Sequence, residues 1–222
     1  MNYKYNNLDI MKGMVSVKVL LVNGSPNEKG CTYIALSEVL SALKSEGVDG
    51  EIIHIGKLQQ GCVGCGFCKK TGRCAFGNDD GLNLLLEKAE KADGFVIGSP
   101  VHFASASGMI TSMMDRFFMA SKHLAYKPGA AVVSCRRGGA SAALDQLNKY
   151  FTIRNMPIVS SNYWNIVHGS KAEDVFKDEE GIQTMRILGK NMAWILKCIE
   201  SGKNNGITLP ENEEKIKTDY IR

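Results

Sequence analysis

Short apolar runs and amphipathic stretches alternate five times along this chain, and no other feature narrows its fold so far. The run from Val17 to Val22 stops at Asn23-Gly24-Ser25-Pro26 and reads as a buried strand. Thr32 to Glu46 then carries Ile34, Leu36, Val39, Leu40 and Leu43 at helical spacing and ends at Gly47. Glu51 to Ile55 reads as a second strand, and Leu82 to Lys91 as a helix opening after Asp79-Asp80. Gly94 to Gly98 gives a third strand, halted by Ser99-Pro100. Met109, Ile110, Met113, Met114, Phe117 and Phe118 follow as the core stripe of a helix. Ala130 to Ser134 gives a fourth strand, Ala140 to Phe151 a helix, Pro157 to Ser160 a fifth strand, and Ile182 to Ile199 a long last helix.

Alternation of this kind builds βαβ units, whose right-handed crossovers close a parallel sheet covered on both faces. Five units in 222 residues suit one α/β domain with a five-stranded sheet of order 2-1-3-4-5. The domain is expected over residues 15–200, with a cysteine-rich loop at 61–78 after strand two. A polar tail follows at 201–222 and contains Pro210.

Composition excludes some partners. The 27 basic and 23 acidic residues are dispersed, the net charge is +4, and no Lys/Arg block stands out. Nucleic acid and an anionic membrane are therefore not expected as partners. The opening residues lack an apolar segment followed by a small-residue cleavage site, so a cytoplasmic location is expected.

In an open parallel sheet, ligands bind beyond the carboxyl ends of the strands. The segment after strand one, Gly24-Ser25-Pro26-Asn27-Glu28-Lys29-Gly30-Cys31-Thr32, leads into a helix N-terminus. Backbone N–H groups, the Ser25 and Thr32 hydroxyls and the Lys29 charge suit a phosphate monoester there. It contains neither G-x-G-x-x-G nor a Gly-Lys-Ser/Thr ending, which disfavours dinucleotide and P-loop nucleotide binding. The plainer alternative is a tight turn with a helix cap.

Four of the seven cysteines, Cys62, Cys65, Cys68 and Cys74, fall within thirteen residues among glycines 61, 64, 66 and 72. Four soft thiols at this spacing suit a [4Fe–4S] cluster, or less commonly tetrahedral zinc; free packing or redox-active thiols are the remaining alternative. The x5 gap and the absence of Pro after the last cysteine depart from the bacterial ferredoxin run.

Together, several segments resemble the flavodoxin-like NAD(P)H-dependent FMN reductase superfamily, and within it the iron–sulfur flavoprotein branch. They are Gly24-Ser25-Pro26 with Gly30-Cys31-Thr32; Gly98-Ser99-Pro100-Val101-His102-Phe103; Ser107-Gly108 with Asp115-Arg116; Val132-Val133-Ser134-Cys135-Arg136-Arg137-Gly138-Gly139; and Ser161-Asn162-Tyr163-Trp164-Asn165. The resemblance implies a three-layer sandwich of the flavodoxin type. It implies an FMN phosphate held by Ser25, Cys31 and Thr32, a flavin ring against Pro100, Val101, His102 and Phe103, and Ser134, Arg136, Arg137, Gly138 and Gly139 on the pyrimidine side. Cys31 stands where relatives usually have Asn or Ser, and His102 where they usually have Tyr. The metal ligands it implies are Cys62, Cys65, Cys68 and Cys74. Arg136 and Arg137 would neutralise reduced flavin or bind a nicotinamide cofactor's phosphates.

The activity so implied is electron transfer from NAD(P)H, or from ferredoxin, through FMN to a small acceptor such as a quinone or flavin. No dedicated acid, base or nucleophile is expected, because the cofactor carries the chemistry. A non-enzymatic electron carrier is the alternative, and its usual acidity is missing here. A redox sensor using the thiols is a third reading. A homodimer or homotetramer is implied by likeness, with Tyr163, Trp164 and the tail as candidates for its interface.

Overall fold

The computed structural model describes residues 17–56 and 60–211, together with 213, 214, 216–218 and 220. In chain order the elements are β1 (Lys18–Asn23), α1 (Cys31–Ser45), β2 (Asp49–His54), α2 (Phe67–Thr71), α3 (Leu82–Glu90) and β3 (Gly94–His102). There follow β4 (Ser105–Ala106), α4 (Gly108–Ala120), β5 (Gly129–Cys135), α5 (Ala140–Ile153), β6 (Ile166–His168), α6 (Ala172–Val175) and α7 (Glu179–Asn204).

The parallel sheet runs β2-β1-β3-β5-β6, and the two-residue β4 folds back antiparallel on β3. Counting parallel strands alone, this is the expected order 2-1-3-4-5. Alternate residues of each central strand feed opposite faces, as the strand pleat requires. Leu20, Val22, Phe95, Ile97, Ala131 and Val133 pack under α3, α4 and α5. Val19, Leu21, Val96, Ala130, Val132 and Val167 pack under α1 and α7. Each large side chain so buried stabilises the fold by roughly 1.5–3 kcal/mol. The methionine and phenylalanine stripe of α4 is core, with Ile110, Met113, Met114, Phe117 and Phe118 buried.

One expectation fails. The edge strand is Ile166–His168, not Pro157 to Ser160. Ile158 makes only an isolated bridge to Gly129. Beyond it, the Asn165 side-chain amide donates to the Ala131 carbonyl at 3.0 Å, a place a fifth-strand backbone N–H would otherwise take. The intervening chain is drawn onto α7: Asn191 donates to the Ser160 carbonyl at 2.8 Å and the Ser161 hydroxyl to the Thr184 carbonyl at 2.7 Å. Tyr163 and Trp164 consequently precede the edge strand instead of following it. Both are exposed, with ring centroids 5.2 Å apart.

Candidate flavin site

The turn after β1 and the carboxyl-terminal ends of β3 and β5 meet at one rim and are tied together by buried hydrogen bonds. The Gly24 N–H donates to the Gly98 carbonyl at 2.9 Å, and the Ser107 hydroxyl to the Gly24 carbonyl at 3.1 Å. The Ser107 N–H donates in turn to Ser99 Oγ at 3.0 Å. Asn23 shapes the first turn from within, accepting the Ser25 N–H at 3.1 Å and donating to the Glu28 carbonyl at 2.9 Å. His54 Nε2 lies 2.8 Å from the Ser25 carbonyl oxygen and braces the same turn from β2. Across the rim, Thr32 Oγ1 and Ser134 Oγ stand 2.8 Å apart. Asn23, Ser25, Thr32, Ser99, Ser107 and Ser134 are all buried. Such a polar set is tolerated in the interior because its members satisfy one another, and it fixes their positions.

These segments line a cavity of about 530 Å³. Of the residues anticipated from sequence, Ser25, Cys31, Thr32, Pro100, Val101, Ser134 and Arg136 are in its wall. The N-terminus of α1 opens into it, with Gly30 at the cap, where no side-chain cap hydrogen bond is made. The Ser25 hydroxyl accepts the Asn27 N–H at 3.1 Å and so keeps its own hydrogen for a ligand. An uncapped helix N-terminus flanked by hydroxyls, with Lys29, Arg136 and Lys171 in the same wall, is chemically suited to a phosphate monoester. Burial pushes the Cys31 thiol up, as do the Asp174 and Glu173 carboxylates, against a lowering backbone hydrogen bond. It thus stands at the helix start as a neutral group that adds no anion to that end.

The remaining anticipated residues stand apart from this wall. His102 and Phe103 belong to a hairpin in which His102 pairs with Ser105, and Phe103 and Ala104 form the two-residue turn with φ of 50° and 60°. Two such values in sequence match the I′ hairpin turn, which usually holds Asn or Gly. Phe103 is fully exposed at the tip. Gly139, at φ 88°, lets the hairpin approach α5: a Cβ there would lie 2.5 Å from Ala104 Cα. Gln146 pins the hairpin from α5, accepting from the Ser105 hydroxyl at 2.7 Å and the Ala106 N–H at 3.1 Å. Arg137 and Gly138 lie exposed on the turn leading to Gly139.

Sequence reasoning missed Gly169, Ser170, Lys171, Ala172 and Glu173, which complete the wall from the loop after β6 and the start of α6. A fifth strand at Pro157 to Ser160 puts the following loop at Ser161 onward, whereas the edge strand ends at His168 and its loop begins at Gly169. A second cavity, about 390 Å³, includes Val17, Asp93 and Pro128, which immediately precede β1, β3 and β5. It lies at the opposite end of the sheet from the first cavity.

The cysteine loop is built differently. Cys62 and Cys65 are exposed, Cys68 and Cys74 half-buried, and all four thiols are free. Among the described residues, no three Cys, His, Asp or Glu side chains stand together as a metal-binding group. Two of the thiols are nonetheless seated on α4: Cys68 Sγ is 3.8 Å from the Met119 carbonyl oxygen, and Arg116 Nε donates to Cys74 Sγ at 3.2 Å. The donor set matches an iron–sulfur cluster in kind. The stretch bearing Cys62 and Cys65 is unobstructed, since a Cβ at Gly61, Gly64 or Gly66 would meet nothing within 4 Å.

Among the described residues no helix is long and apolar enough to cross a membrane. Comparison with known proteins agrees with the architecture. Residues 17–171 match the NADPH-dependent FMN reductase family. An iron–sulfur flavoprotein of Methanocaldococcus jannaschii is 33% identical over 83% of this chain and 100% of its own length. One from Archaeoglobus fulgidus is 31% identical over 85% of this chain and 98% of its own. A flavodoxin structure from the domain Archaea superposes with a TM-score of 0.56 at 15% identity, covering 82% of this chain and 99% of that one. The chain therefore belongs to the NADPH-dependent FMN reductase family, within its iron–sulfur flavoprotein branch, and is an FMN-dependent oxidoreductase.

Proposed function

We propose that the protein takes electrons from a reduced nicotinamide, or from a ferredoxin, and passes them through FMN to a small acceptor such as a quinone or a flavin. One observation carries the flavin part of this reading. Ser25, Thr32 and Ser134 converge with Pro100, Val101 and Arg136 around one cavity at the uncapped start of α1. When bound, FMN supplies two-electron uptake and one-electron release. The chain's own part is to hold the phosphate with the Ser25 and Thr32 hydroxyls and the α1 amides, and to set Pro100 and Val101 against the ring. His102, Phe103, Arg137, Gly138 and Gly139 belong to the ring's outer surroundings in this proposal. Arg136 and Arg137 supply positive charge toward reduced flavin or the phosphates of an incoming nicotinamide cofactor.

Cys62, Cys65, Cys68 and Cys74 are proposed to hold a [4Fe–4S] cluster, which would supply one-electron transfer. The spacing, the free thiols and the iron–sulfur flavoprotein names of the relatives support this. Exposed Lys69 and Lys70 on α2, beside Cys68, favour approach by a small acidic carrier such as a ferredoxin. Assembly into a homodimer or homotetramer is also proposed, with exposed Tyr163 and Trp164 available for it.

The test is anaerobic purification with flavin, iron and sulfide analysis, followed by steady-state NAD(P)H oxidation with an artificial acceptor. Bound FMN with turnover supports the enzyme. FMN with negligible hydride uptake favours the alternative of an electron carrier, and a chain without flavin affinity removes both.

A further inference from the structure

We propose that Arg116 is the positioning residue of the cysteine loop: it seats Cys74 as a ligand and raises the cluster's reduction potential through an N–H···S hydrogen bond. The inference rests on the proposed cluster. It starts from a guanidinium that is only 3% exposed, a burial that is unfavourable unless its charge and donors are met. Asp80 meets the charge, bonding to both terminal nitrogens of Arg116. Pairing with Asp80 alone would leave the other donors idle.

Those other donors go to the two ends of the four-cysteine segment. Nε donates to Cys74 Sγ at 3.2 Å, and Nη1 to the Gln60 carbonyl at 3.1 Å. One side chain on α4 thus clamps the residues that enter and leave the segment. Asn83 secures Cys74 from the other side, accepting its N–H at 2.9 Å and donating to its carbonyl at 3.0 Å. Asp80 in turn accepts the Leu82 N–H at 3.3 Å, which joins the clamp to the start of α3. The backbone of Cys74 is therefore fixed on α3 while its sulfur faces the Arg116 cation on α4. Hydrogen bonds to ligand sulfur withdraw negative charge and favour the reduced form of a cluster. A residue whose only role was to pack α4 would have no effect on that potential.

The test uses the full chain with FMN, loaded anaerobically with ferrous iron and sulfide, as wild type, Asp80→Asn, Arg116→Lys and the double variant Arg116→Met/Asp80→Asn. Removing both members of the pair avoids leaving a buried carboxylate unmatched. Flavin content reports the fold, iron and sulfide report occupancy, and a redox titration followed optically reports the potential. The double variant is expected to keep FMN and either to lose iron or to titrate at a more negative potential. The expected shift is about tenfold in the reduced-to-oxidised ratio, or roughly 59 mV for one electron. Asp80→Asn keeps the N–H···S bond and loses a nearby negative charge, so its potential is expected at or above that of wild type. Should the double variant lose FMN as well, Arg116→Lys decides. It retains the charge without the fork, and is expected to keep FMN with less iron or a lower potential. Full iron and a wild-type potential in the double variant, or in Arg116→Lys where that variant decides, overturn the proposal and leave the cluster reading intact. A wild-type chain that takes up no iron or sulfide overturns both.

Discussion

The flavin cradle and the cysteine loop lie on the same chain but are held by different means. In the cradle, six polar residues are buried and bonded to one another, so the turn after β1 and the ends of β3 and β5 are set before any ligand arrives. In the loop, α2 has no buried residue, and glycines in the left-handed region stand at both of its ends, with Gly66 at φ 72° and Gly72 at φ 70°. The loop is fastened at its ends, by Arg116 of α4 to Gln60 and Cys74, and by Met119 to Cys68, while among the described residues the stretch bearing Cys62 and Cys65 lies exposed. A preorganised site loses little entropy on binding; a half-fastened one must order the rest of itself around what it binds. The two sites should therefore respond oppositely to the same kind of perturbation.

The largest difference is expected from added bulk. A Cβ at Gly98 would lie 2.7 Å from Thr32 Cγ2 and 2.8 Å from Leu36 Cδ1. Gly98→Val should force α1 off the sheet, lower stability by roughly 1–3 kcal/mol or more and abolish FMN binding. Gly61→Ala in the loop should change stability by less than about 0.5 kcal/mol, because nothing lies within 4 Å of its Cβ. Urea unfolding with a flavin titration checks both.

Next in size are the ligands themselves. Ser25→Ala and Thr32→Ala should each weaken FMN by roughly 10- to 100-fold, about 1.5–3 kcal/mol for a hydrogen bond to a charged group, without altering iron content. On the cluster reading, Cys74→Ser should do the reverse: retain FMN and lose iron. Joint loss of flavin and iron in any of the three would break the comparison.

Proteolysis should follow the same division. Tryptic sites are exposed in both regions, at Lys29, Arg136 and Arg137 on the cradle and at Lys69 and Lys70 on α2. The cradle's segments are anchored by buried hydrogen bonds while α2 buries no residue, so trypsin is expected to cut first after Lys69 or Lys70, and iron loading should slow that cut. Mass spectrometry of the first fragments identifies the site.

The smallest effect belongs to the sheet edge. Lys18 and Lys88 hydrogen-bond Glu51 and hold its carboxyl below its ordinary value of 4.5. A depressed folded-state value means the contribution is present above the unfolded value and lost as pH falls through the folded one. Glu51 is 29% exposed, so Glu51→Gln should cost only about 0.5–1 kcal/mol at neutral pH and nothing once the wild-type carboxyl is protonated. Denaturation at neutral and at low pH measures it.

The legible parts of this molecule are those governed by local pattern. The apolar runs of β1, β3 and β5, and the turn residues that end them, give the sheet and three of the four segments around the cavity. The fourth segment was hidden by a tertiary substitution. Asn165 replaces a backbone donor with its side chain, so the apolar Pro157 to Ser160 stretch reads as a strand although the ladder forms later, at Ile166–His168. Likewise nothing in the pattern around Phe103 and Ala104 signals a turn of positive φ, because neither residue favours it. Arg116 is readable as part of a family motif, but its reach to Cys74 is a contact between residues 42 positions apart. His54 and Asn23, which brace the turn after β1, carry no sequence signal beyond standing at the ends of their strands.

The central claim is that the first turn is a preformed phosphate site, and comparing FMN with riboflavin tests it most directly. The two ligands share a ring and a sugar chain and differ only in the phosphate. Titrated into flavin-free, folded protein, FMN should bind at least about 100-fold more tightly, as expected for two or more charge-assisted hydrogen bonds. Equal affinities, or no binding of either, would contradict the account.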